Sequence, residues 1–250
     1  MELNIKDKVA IVTGASKGIG AGIAKALAAE GVKVTVNYSS NKEDADRVVY
    51  EIESKGGKAI AVQANVGKQS DVSTLFNKTI DAFGKVNIIV NNAGIFKAGP
   101  VESITEEQFV REFNVNVFGQ ILMIQEALRH FPKDGGNIVN ITSVSGDRPT
   151  PNFGLYSSTK AAVNSLTRAV ALELAARKIR VNAVAPGTTE TEGIHALGLF
   201  GSEAEKTTIA SIPLGRVGQP DDIAKVVVFL VSDAGAWITG EKIVAAGGFY

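Results

Sequence analysis

Short apolar runs alternate with longer helical patterns along the whole chain, and this alternation limits the possible folds more than any other feature. The first run, Val9 to Thr13, is nearly all apolar instead of alternating between apolar and polar positions. Such runs are typical of parallel strands that helices cover on both faces. Six similar runs follow: VKVTVNY, KAIAVQA, VNIIVNN, GNIVNIT, KIRVNAV and KIVAA. The sequence therefore predicts an α/β fold, a doubly wound parallel sheet of about seven strands with helices on both faces.

A chain of 250 residues without a linker-like segment or an internal repeat is expected to form a single domain over residues 1–250. Its least regular part is residues 188–213, where Gly193, Gly198 and Gly201 interrupt any long helix. We predict a mobile substrate flap in this segment. An ordinary surface excursion explains the same residues equally well and stays open as the alternative.

The charge balance and the residue types exclude several classes of function. The 26 Lys and Arg residues equal the 26 Asp and Glu residues, and no block of like charge stands out, so we expect no nucleic acid or membrane partner. The sequence has no cysteine and two histidines, His130 and His195, which excludes disulfides and any ordinary Cys/His metal site. No apolar stretch approaches the ~18 residues of a membrane span. The first residues are polar, so a cytoplasmic location is expected.

A glycine-rich loop directly follows the first strand and opens a helical run. The loop reads TGASKGIG, from Thr13 to Gly20. Gly14, Gly18 and Gly20 let the backbone turn sharply and approach a pyrophosphate, while free N–H groups at the helix start face the phosphates. Tight strand-to-helix turns also favour glycine for structural reasons, so the loop by itself only suggests a Rossmann-type dinucleotide site.

The same loop also fits a hydrolase motif. Gly14 to Gly18 spell GxSxG, which after a strand can form a nucleophile elbow with Ser16 as the nucleophile. A catalytic triad would need an acid and either His130 or His195. His130 stands at what reads as a helix end, where a capping role is more common. The hydrolase hypothesis also leaves the other motifs unexplained, so it is the weaker alternative.

Four further motifs follow in order: NNAG at residues 91–94, Asn116 in a helical segment, Ser143 after the fifth strand, and YSSTK from Tyr156 to Lys160. Together with the glycine loop they resemble the short-chain dehydrogenase/reductase family, which implies a single-domain Rossmann-type fold. The resemblance extends over essentially the whole chain, through PGTTET, PLGRVGQPDDIA and WITGE. One Y-x-x-x-K match would usually be a coincidence, but the ordered set is specific.

Tyr156 and Lys160 are four residues apart, so on a helix their side chains lie side by side. A tyrosine has an unperturbed pKa of about 10, and lowering it to about 7 requires roughly 4 kcal/mol of preference for the phenolate. A lysine charge ~4 Å away at an effective dielectric constant near 20 supplies an interaction of about that size, and an oxidised nicotinamide would add to it. The spacing therefore predicts that Lys160 lowers the pKa of Tyr156.

The family resemblance implies a role for each member of a catalytic set. Tyr156 gives its proton to a carbonyl oxygen during reduction, or removes a hydroxyl proton during oxidation. Lys160 also holds the nicotinamide ribose. Ser143 hydrogen-bonds the same substrate oxygen, and Asn116 anchors a water-linked proton path behind Lys160.

The cofactor preference depends on the end of the second strand, where an acidic residue binds the ribose hydroxyls of NAD and repels the 2′-phosphate of NADP. Tyr38 stands at this position, followed by Ser39 and Ser40, so NAD loses its expected partner. Lys17 is placed as in NADP-preferring members of the family, and the two serines can donate further hydrogen bonds. We therefore predict NADP(H) over NAD(H).

A dinucleotide site of this kind uses several loops. Asn65 replaces the aspartate that the family typically has before valine, and its side-chain oxygen can still accept a hydrogen bond from the adenine amino group. NNAG, the Pro186–Gly187 pair and Thr191 are expected to line the nicotinamide. The residues predicted to bind the cofactor are Gly14, Ser16, Lys17, Gly18, Ile19, Gly20, Tyr38, Ser39, Ser40, Asn65, Val66, Asn92, Ala93, Gly94, Tyr156, Lys160, Pro186, Gly187, Thr189 and Thr191.

These motifs predict an NADP(H)-dependent oxidoreductase that transfers a hydride between nicotinamide and a carbonyl or alcohol substrate without a metal. Substrates within the family include 3-oxoacyl chains on a carrier protein, sugars or polyols, and hydrophobic ketones. A non-catalytic dinucleotide-binding protein is the alternative from another class. The family also implies a homotetramer, with helices in residues 113–131 and 156–176 as interface candidates. An apolar substrate wall is predicted from Phe96, Phe153, Leu155, Ile194, Leu197 and Phe200.

Overall fold

The protein is built on one seven-stranded sheet, which confirms the predicted fold. The computed structural model describes residues 2–195 and 202–249. The strands are β1 (Val9–Val12), β2 (Lys33–Tyr38), β3 (Lys58–Gln63), β4 (Ile88–Asn91), β5 (Gly136–Ile141), β6 (Ile179–Pro186) and β7 (Lys242–Ala245). Their order across the sheet is β3-β2-β1-β4-β5-β6-β7, and every neighbouring pair is parallel.

Helices connect the strands, and none of the described helices is long and apolar enough to cross a membrane. They are α1 (Gly18–Ala29), α2 (Lys42–Glu53), α3 (Gln69–Phe83), α4 (Glu106–Phe113), α5 (Gly119–His130), α6 (Gly154–Leu174), α7 (Glu192–His195), α8 (Glu203–Ser211) and α9 (Pro220–Val231). A π-helical turn, Asn114–Phe118, joins α4 directly to α5. It widens the helix at the position of one predicted catalytic residue.

Helices cover both faces of the sheet because successive strand residues point to opposite sides. Ala10 and Val12 of β1 pack into a core shared with α1, α2 and α9. Ile11 lies between them in sequence and packs on the other face, against α3 and α5. Ile138 of β5 extends this second face against α5 and α6.

The strand order reverses at β1, which has β2 on one side and β4 on the other. The chain runs outward from β1 to β3 and then returns to β4. At such a reversal the loops after the two central strands leave in opposite directions and open a crevice at the carboxyl edge of the sheet. The topology therefore predicts a ligand site at the carboxyl edge of the sheet, between the loops that follow β1 and β4.

The segment after β6 is described in part. Thr189 is buried and forms a parallel bridge with Gly218. Leu197 and Phe200, two members of the predicted substrate wall, lie outside the described residues. The predicted substrate flap at residues 188–213 therefore stays a prediction.

Candidate active site

The structure brings the predicted site residues to the carboxyl edge of the sheet. Asn116 lies in the π-helical turn after α4, and Tyr156 and Lys160 lie on α6. The other predicted residues stand at or just after the ends of β1 to β6, within residues 14–20, 38–40, 65–66, 92–94, 143 and 186–191. Residues that are far apart in the sequence thus lie at the same edge of the sheet.

The glycine loop packs tightly against the loop after β4. Gly14 has a φ of 59°, a backbone conformation that other residues rarely adopt. A Cβ at Gly14 would lie 3.0 Å from Ala93 Cα, and a Cβ at Gly20 would lie 2.5 Å from the side-chain nitrogen of Asn92. The protein's own packing therefore requires glycine at positions 14 and 20, whether or not a phosphate also approaches the backbone there.

Hydrogen bonds join the same two loops. The Thr13 hydroxyl accepts from the backbone N–H groups of Asn92 at 2.9 Å and Ala93 at 3.0 Å. The Asn92 side-chain amide donates to the backbone oxygens of Thr13 at 2.9 Å and Gly14 at 3.0 Å. Asn92 therefore shapes the loop, and Thr13 is a site residue that the sequence analysis did not select, although it opens the glycine motif.

Asn37 ties the glycine loop to the next two strands. It is 1% exposed, and its Oδ1 accepts from Gly14 N at 3.2 Å. Its Nδ2 donates to the backbone oxygens of Val62 at 3.2 Å and Ala64 at 3.1 Å. Asn37 is not among the residues that the sequence predicted to bind the cofactor. A polar residue in a strand predicted to be covered on both faces was the signal in the sequence, but it did not show which groups Asn37 would bind.

The end of β2 separates a buried residue from two exposed ones. Tyr38 packs within the core and is 6% exposed, whereas Ser39 and Ser40 face solvent. Lys17 is exposed on the glycine loop, and Ser16 beside it is half-buried. A phosphate near this edge would meet a lysine and serine hydroxyls and no acidic residue of β2, so these residues fit NADP.

Asn65 uses part of its hydrogen-bonding capacity inside the protein. Its Oδ1 accepts from Gly67 N at 3.0 Å. An amide oxygen has two lone pairs, so one stays available for an adenine amino group. Val66 is buried against Gly119, where a Cβ would lie 3.0 Å from Val66 Cγ2.

The loop after β6 reaches the glycine loop from the other side. A Cβ at Gly18 would lie 3.2 Å from Thr191 Cγ2, which shows how closely the two loops approach. Pro186 is the last, buried residue of β6, and Thr189 turns its hydroxyl to Gly187 O at 3.0 Å. Ile19 is half-buried and packs against the core that α1 shares with the sheet.

The predicted catalytic side chains meet beside Gly94. A Cβ at Gly94 would lie 3.5 Å from both Asn116 Oδ1 and Lys160 Nζ. Lys160 Nζ lies 5.5 Å from the centre of the Tyr156 ring. A hydrogen bond with Ser143 acts to lower the pKa of the Tyr156 phenol. Because Gly94 has no side chain, its backbone lies directly beside Asn116 and Lys160.

Asn116 is fully buried in the π-helical turn and binds the loop after β4 at two points. Its Oδ1 accepts from Ile95 N, and its Nδ2 donates to Ile95 O, both at 2.8 Å. The Nδ2 also donates to the Thr159 hydroxyl at 3.1 Å. π-Helical turns within α-helices often mark functional sites. Here the wider turn directs Asn116 toward the loop and toward α6.

The prediction that Lys160 lowers the pKa of Tyr156 is wrong. Burial raises the pKa of Tyr156 to about 12, hydrogen bonding to Ser143 lowers it in part, and the charge of Glu112 raises it further. Lys160 donates its hydrogen bond to Ile141 O at 2.9 Å instead of to the phenol. Burial also lowers the pKa of Lys160, to about 8. Loss of solvation therefore outweighs the attraction between the two groups.

Aromatic rings line one side of the phenol. The Phe96 ring centre lies 5.5 Å from that of Tyr156 and 5.9 Å from that of Phe153. Leu155, also predicted in the wall, is buried. Among the members of the predicted substrate wall whose side chains are described, Phe96 and Phe153 thus form an aromatic pair, and Leu155 lies in the core.

The position of His130 gives no support to a hydrolase triad around Ser16. His130 ends α5, at the opposite edge of the sheet from the glycine loop, and stacks on Phe76 with ring centres 5.6 Å apart. The His195 ring nitrogen lies 3.0 Å from a Glu190 oxygen on the protein surface. Among the described residues, no cluster of His, Asp and Glu side chains could hold a metal ion either.

The fold and this set of side chains define a dinucleotide-dependent oxidoreductase. A family model described as "Enoyl-(Acyl carrier protein) reductase" matches residues 14–250. An uncharacterized oxidoreductase of Methylorubrum extorquens is 51% identical over 244 residues, which cover 98% of each chain. The chain belongs to the short-chain dehydrogenase/reductase family, and it is an oxidoreductase.

Two further relatives carry more specific names. A probable tetrahydroxynaphthalene reductase of Zymoseptoria tritici is 41% identical over 246 residues, which cover 94% of this chain and 92% of that one. A solved structure of a short-chain dehydrogenase from Burkholderia cenocepacia in complex with NADP is 38% identical. It superposes with a TM-score of 0.91 and covers 98% of each chain.

Proposed function

We propose that this protein is an NADP(H)-dependent reductase of ketones or aldehydes that also catalyses the reverse oxidation of alcohols. The observation that carries the proposal is the convergence of Tyr156, Lys160 and Asn116 beside Gly94, at the open end of the glycine loop. Bound NADPH would supply the hydride. The protein's own residues would orient the substrate and deliver the proton.

Tyr156 acts in this proposal as the proton donor to the carbonyl oxygen. A pKa of about 12 keeps the phenol protonated at neutral pH, which suits reduction without prior ionisation. Ser143 donates a second hydrogen bond to the same oxygen. Lys160 returns a proton to the phenol after each turnover, along a water-linked path that Asn116 anchors, and Lys160 also holds the nicotinamide ribose.

The preference for NADP(H) over NAD(H) rests on the charge around the end of β2. Lys17, Ser39 and Ser40 are exposed there, and Tyr38 replaces an acidic residue. The similarity to a dehydrogenase solved with NADP supports the same choice. Asn65 contributes its remaining lone pair to the adenine amino group.

Hydrophobic aryl ketones are the substrate class that the site favours. Phe96 offers an aromatic face next to the phenol, with Phe153 beside it, and one relative is named as a probable tetrahydroxynaphthalene reductase. Flat aromatic substrates would stack on these rings. The 3-oxoacyl thioesters and the sugars or polyols are the alternatives that a substrate panel has to separate.

The test is consumption of NADPH against aryl ketones, acetoacetyl thioesters and sugars, repeated with NADH. We expect turnover with at least one aryl ketone and faster turnover with NADPH. Tyr156→Phe should lower kcat by about 10²–10⁴-fold, because it removes the proton donor, while cofactor affinity stays within about twofold. Cofactor binding without turnover across the panel would instead support a non-catalytic dinucleotide-binding protein.

We also propose a homotetramer located in the cytoplasm. Exposed apolar side chains occur on the helices that the family resemblance nominates as interfaces. Phe118 in the π-helical turn is 46% exposed and Leu172 on α6 is 77% exposed. Covering such side chains in an interface would be favourable.

A further inference from the structure

Glu112 is a buried acidic residue to which the proposed reaction gives no role. It lies near the end of α4 and is 2% exposed. Its Oε1 accepts hydrogen bonds from Lys97 N and from the Gln108 side-chain amide, both at 3.1 Å. Its Oε2 is buried and has no hydrogen-bond partner among the described residues. A buried acid with an unpartnered oxygen is costly, and an apolar side chain of similar size would avoid that cost.

Glu112 and Asn116 lie four residues apart and hold the same loop. Asn116 binds the backbone N–H and C=O of Ile95, and Glu112 binds the backbone N–H of Lys97. Phe96 lies between these two anchors. Its ring contacts the Tyr156 ring at 5.5 Å with an angle of 60° between the ring planes.

We propose that Glu112 is a positioning residue, which holds the Lys97 backbone and thereby keeps Phe96 against Tyr156. This inference rests on the proposed reductase function. The position of the Phe96 ring sets where a carbonyl substrate lies over the phenol. Small displacements of a bound substrate from the reacting group lower the rate strongly. Glu112 thus contributes to substrate binding without touching the substrate.

The contact of Glu112 with the site can also be tested through the effect of its charge on the pKa of Tyr156. Within the described residues, Glu112 from α4 and Lys160 from α6 are the ionisable groups next to the phenol, with the Ser143 hydroxyl after β5. The charge of Glu112 raises the pKa of Tyr156. Its removal should therefore lower that pKa and move the alkaline fall of the reduction rate to lower pH.

Two substitutions separate the hydrogen bond from the charge. Glu112→Gln keeps an oxygen for Lys97 N–H, so KM for an aryl ketone should stay within about twofold while the alkaline limb of kcat moves to lower pH. Glu112→Leu removes the acceptor, so KM should rise by about tenfold. Glu126→Gln is the matched control, because Glu126 is also buried but pairs with Arg129 on α5. It should change thermal stability without changing KM or the pH profile.

A double variant tests whether Glu112 acts through Phe96. Phe96→Ala alone should raise KM, and adding Glu112→Leu should raise it no further, because the ring that Glu112 positions is gone. Multiplicative effects, or an unchanged KM in Glu112→Leu, would overturn the proposal. If Glu112→Leu does not fold, Glu112→Met takes its place, since it also lacks the acceptor for Lys97 N–H and an unchanged KM would contradict the inference in the same way. If the wild-type protein shows no turnover, the proposed function and this inference both fail. If the wild-type protein is active but the effects of the two substitutions on KM multiply, only the inference fails.

Discussion

Tyr156 and Lys160 are buried side by side, and burial shifts the pKa of each toward its neutral form. The pKa of the phenol rises to about 12 and that of the ammonium falls to about 8. Ionising the phenol in the cofactor-free protein would therefore cost more than it does in water. The pair is therefore suited to hold a proton for donation. Binding of a charged cofactor beside the pair would change both pKa values.

Lys160→Met should stabilise the cofactor-free protein at pH 7 while abolishing turnover. A pKa lowered from 10.5 to about 8 corresponds to roughly 3 kcal/mol. Loss of the hydrogen bond to Ile141 O cancels part of this, so we expect a gain of about 1–2 kcal/mol in the free energy of unfolding.

The pH dependence gives the sign of this effect. Between pH 8 and 10.5 the unfolded chain binds more protons at Lys160 than the folded one, so wild-type stability rises with pH in that window. The advantage of Lys160→Met should therefore shrink across it in urea titrations. Lys225→Met, at an exposed lysine, is the control and should show no such convergence. A less stable Lys160→Met at pH 7 would contradict the assignment of a burial cost.

Lys17→Ala should affect one cofactor and not the other. A charge-assisted hydrogen bond to a 2′-phosphate contributes about 1.5–3 kcal/mol, so KM for NADPH should rise by about tenfold or more. KM for NADH should stay within about twofold, because NADH lacks that phosphate. Lys78→Ala, at an exposed lysine on α3, should change neither value. Equal losses with both cofactors would show that Lys17 contacts something else.

At the scale of elements, the site depends on how loops from different strands are joined. Thr13 and Asn92 connect the loops after β1 and β4, and Asn37 connects β1, β2 and β3. These side chains satisfy backbone groups that the sharp turns leave without partners in the sheet. The protein's own hydrogen bonds therefore fix the conformation of the glycine loop.

Asn37→Ala should weaken both stability and cofactor binding. The substitution leaves Gly14 N, Val62 O and Ala64 O without their partner, so we expect a loss of about 2–4 kcal/mol in the free energy of unfolding. Because the loop then has to be ordered by the ligand, Kd for NADPH should rise by about tenfold.

Asn182→Ala is the matched comparison. Asn182 is also 1% exposed and bonds Ile238 O and Glu241 N, on the far side of the sheet from the glycine loop. It should lose similar stability while Kd for NADPH stays within about twofold. Isothermal titration at a temperature where both variants are folded separates the two cases. Equal weakening of Kd would mean that global stability, and not the loop, controls binding.

For the whole molecule, the apolar runs were enough to predict the seven-stranded parallel sheet, and the ordered motifs predicted the family. The parallel topology then explains why Gly94 after β4 and Ser143 after β5 lie at the same edge of the sheet, next to Lys160 and Tyr156. The roles of Asn37 and Glu112 were not predictable in this way, because they depend on which backbone groups face them in the folded chain. The pKa of Tyr156 depends on burial depth, which residue spacing does not give.

Assembly is the property of the whole molecule that the exposed apolar residues allow us to test. If the helices around Phe118 and Leu172 form the interfaces of a homotetramer, a charge at either position would have to be buried without a partner. Phe118→Glu and Leu172→Glu should therefore each shift sedimentation at micromolar concentration toward smaller species. Tyr50→Glu is the control, because Tyr50 is 71% exposed on α2, away from these helices. Its sedimentation should match that of wild type. A wild-type protein that sediments only as a monomer would rule out the tetramer, whereas a tetramer that survives both glutamates would place its interfaces on other surfaces.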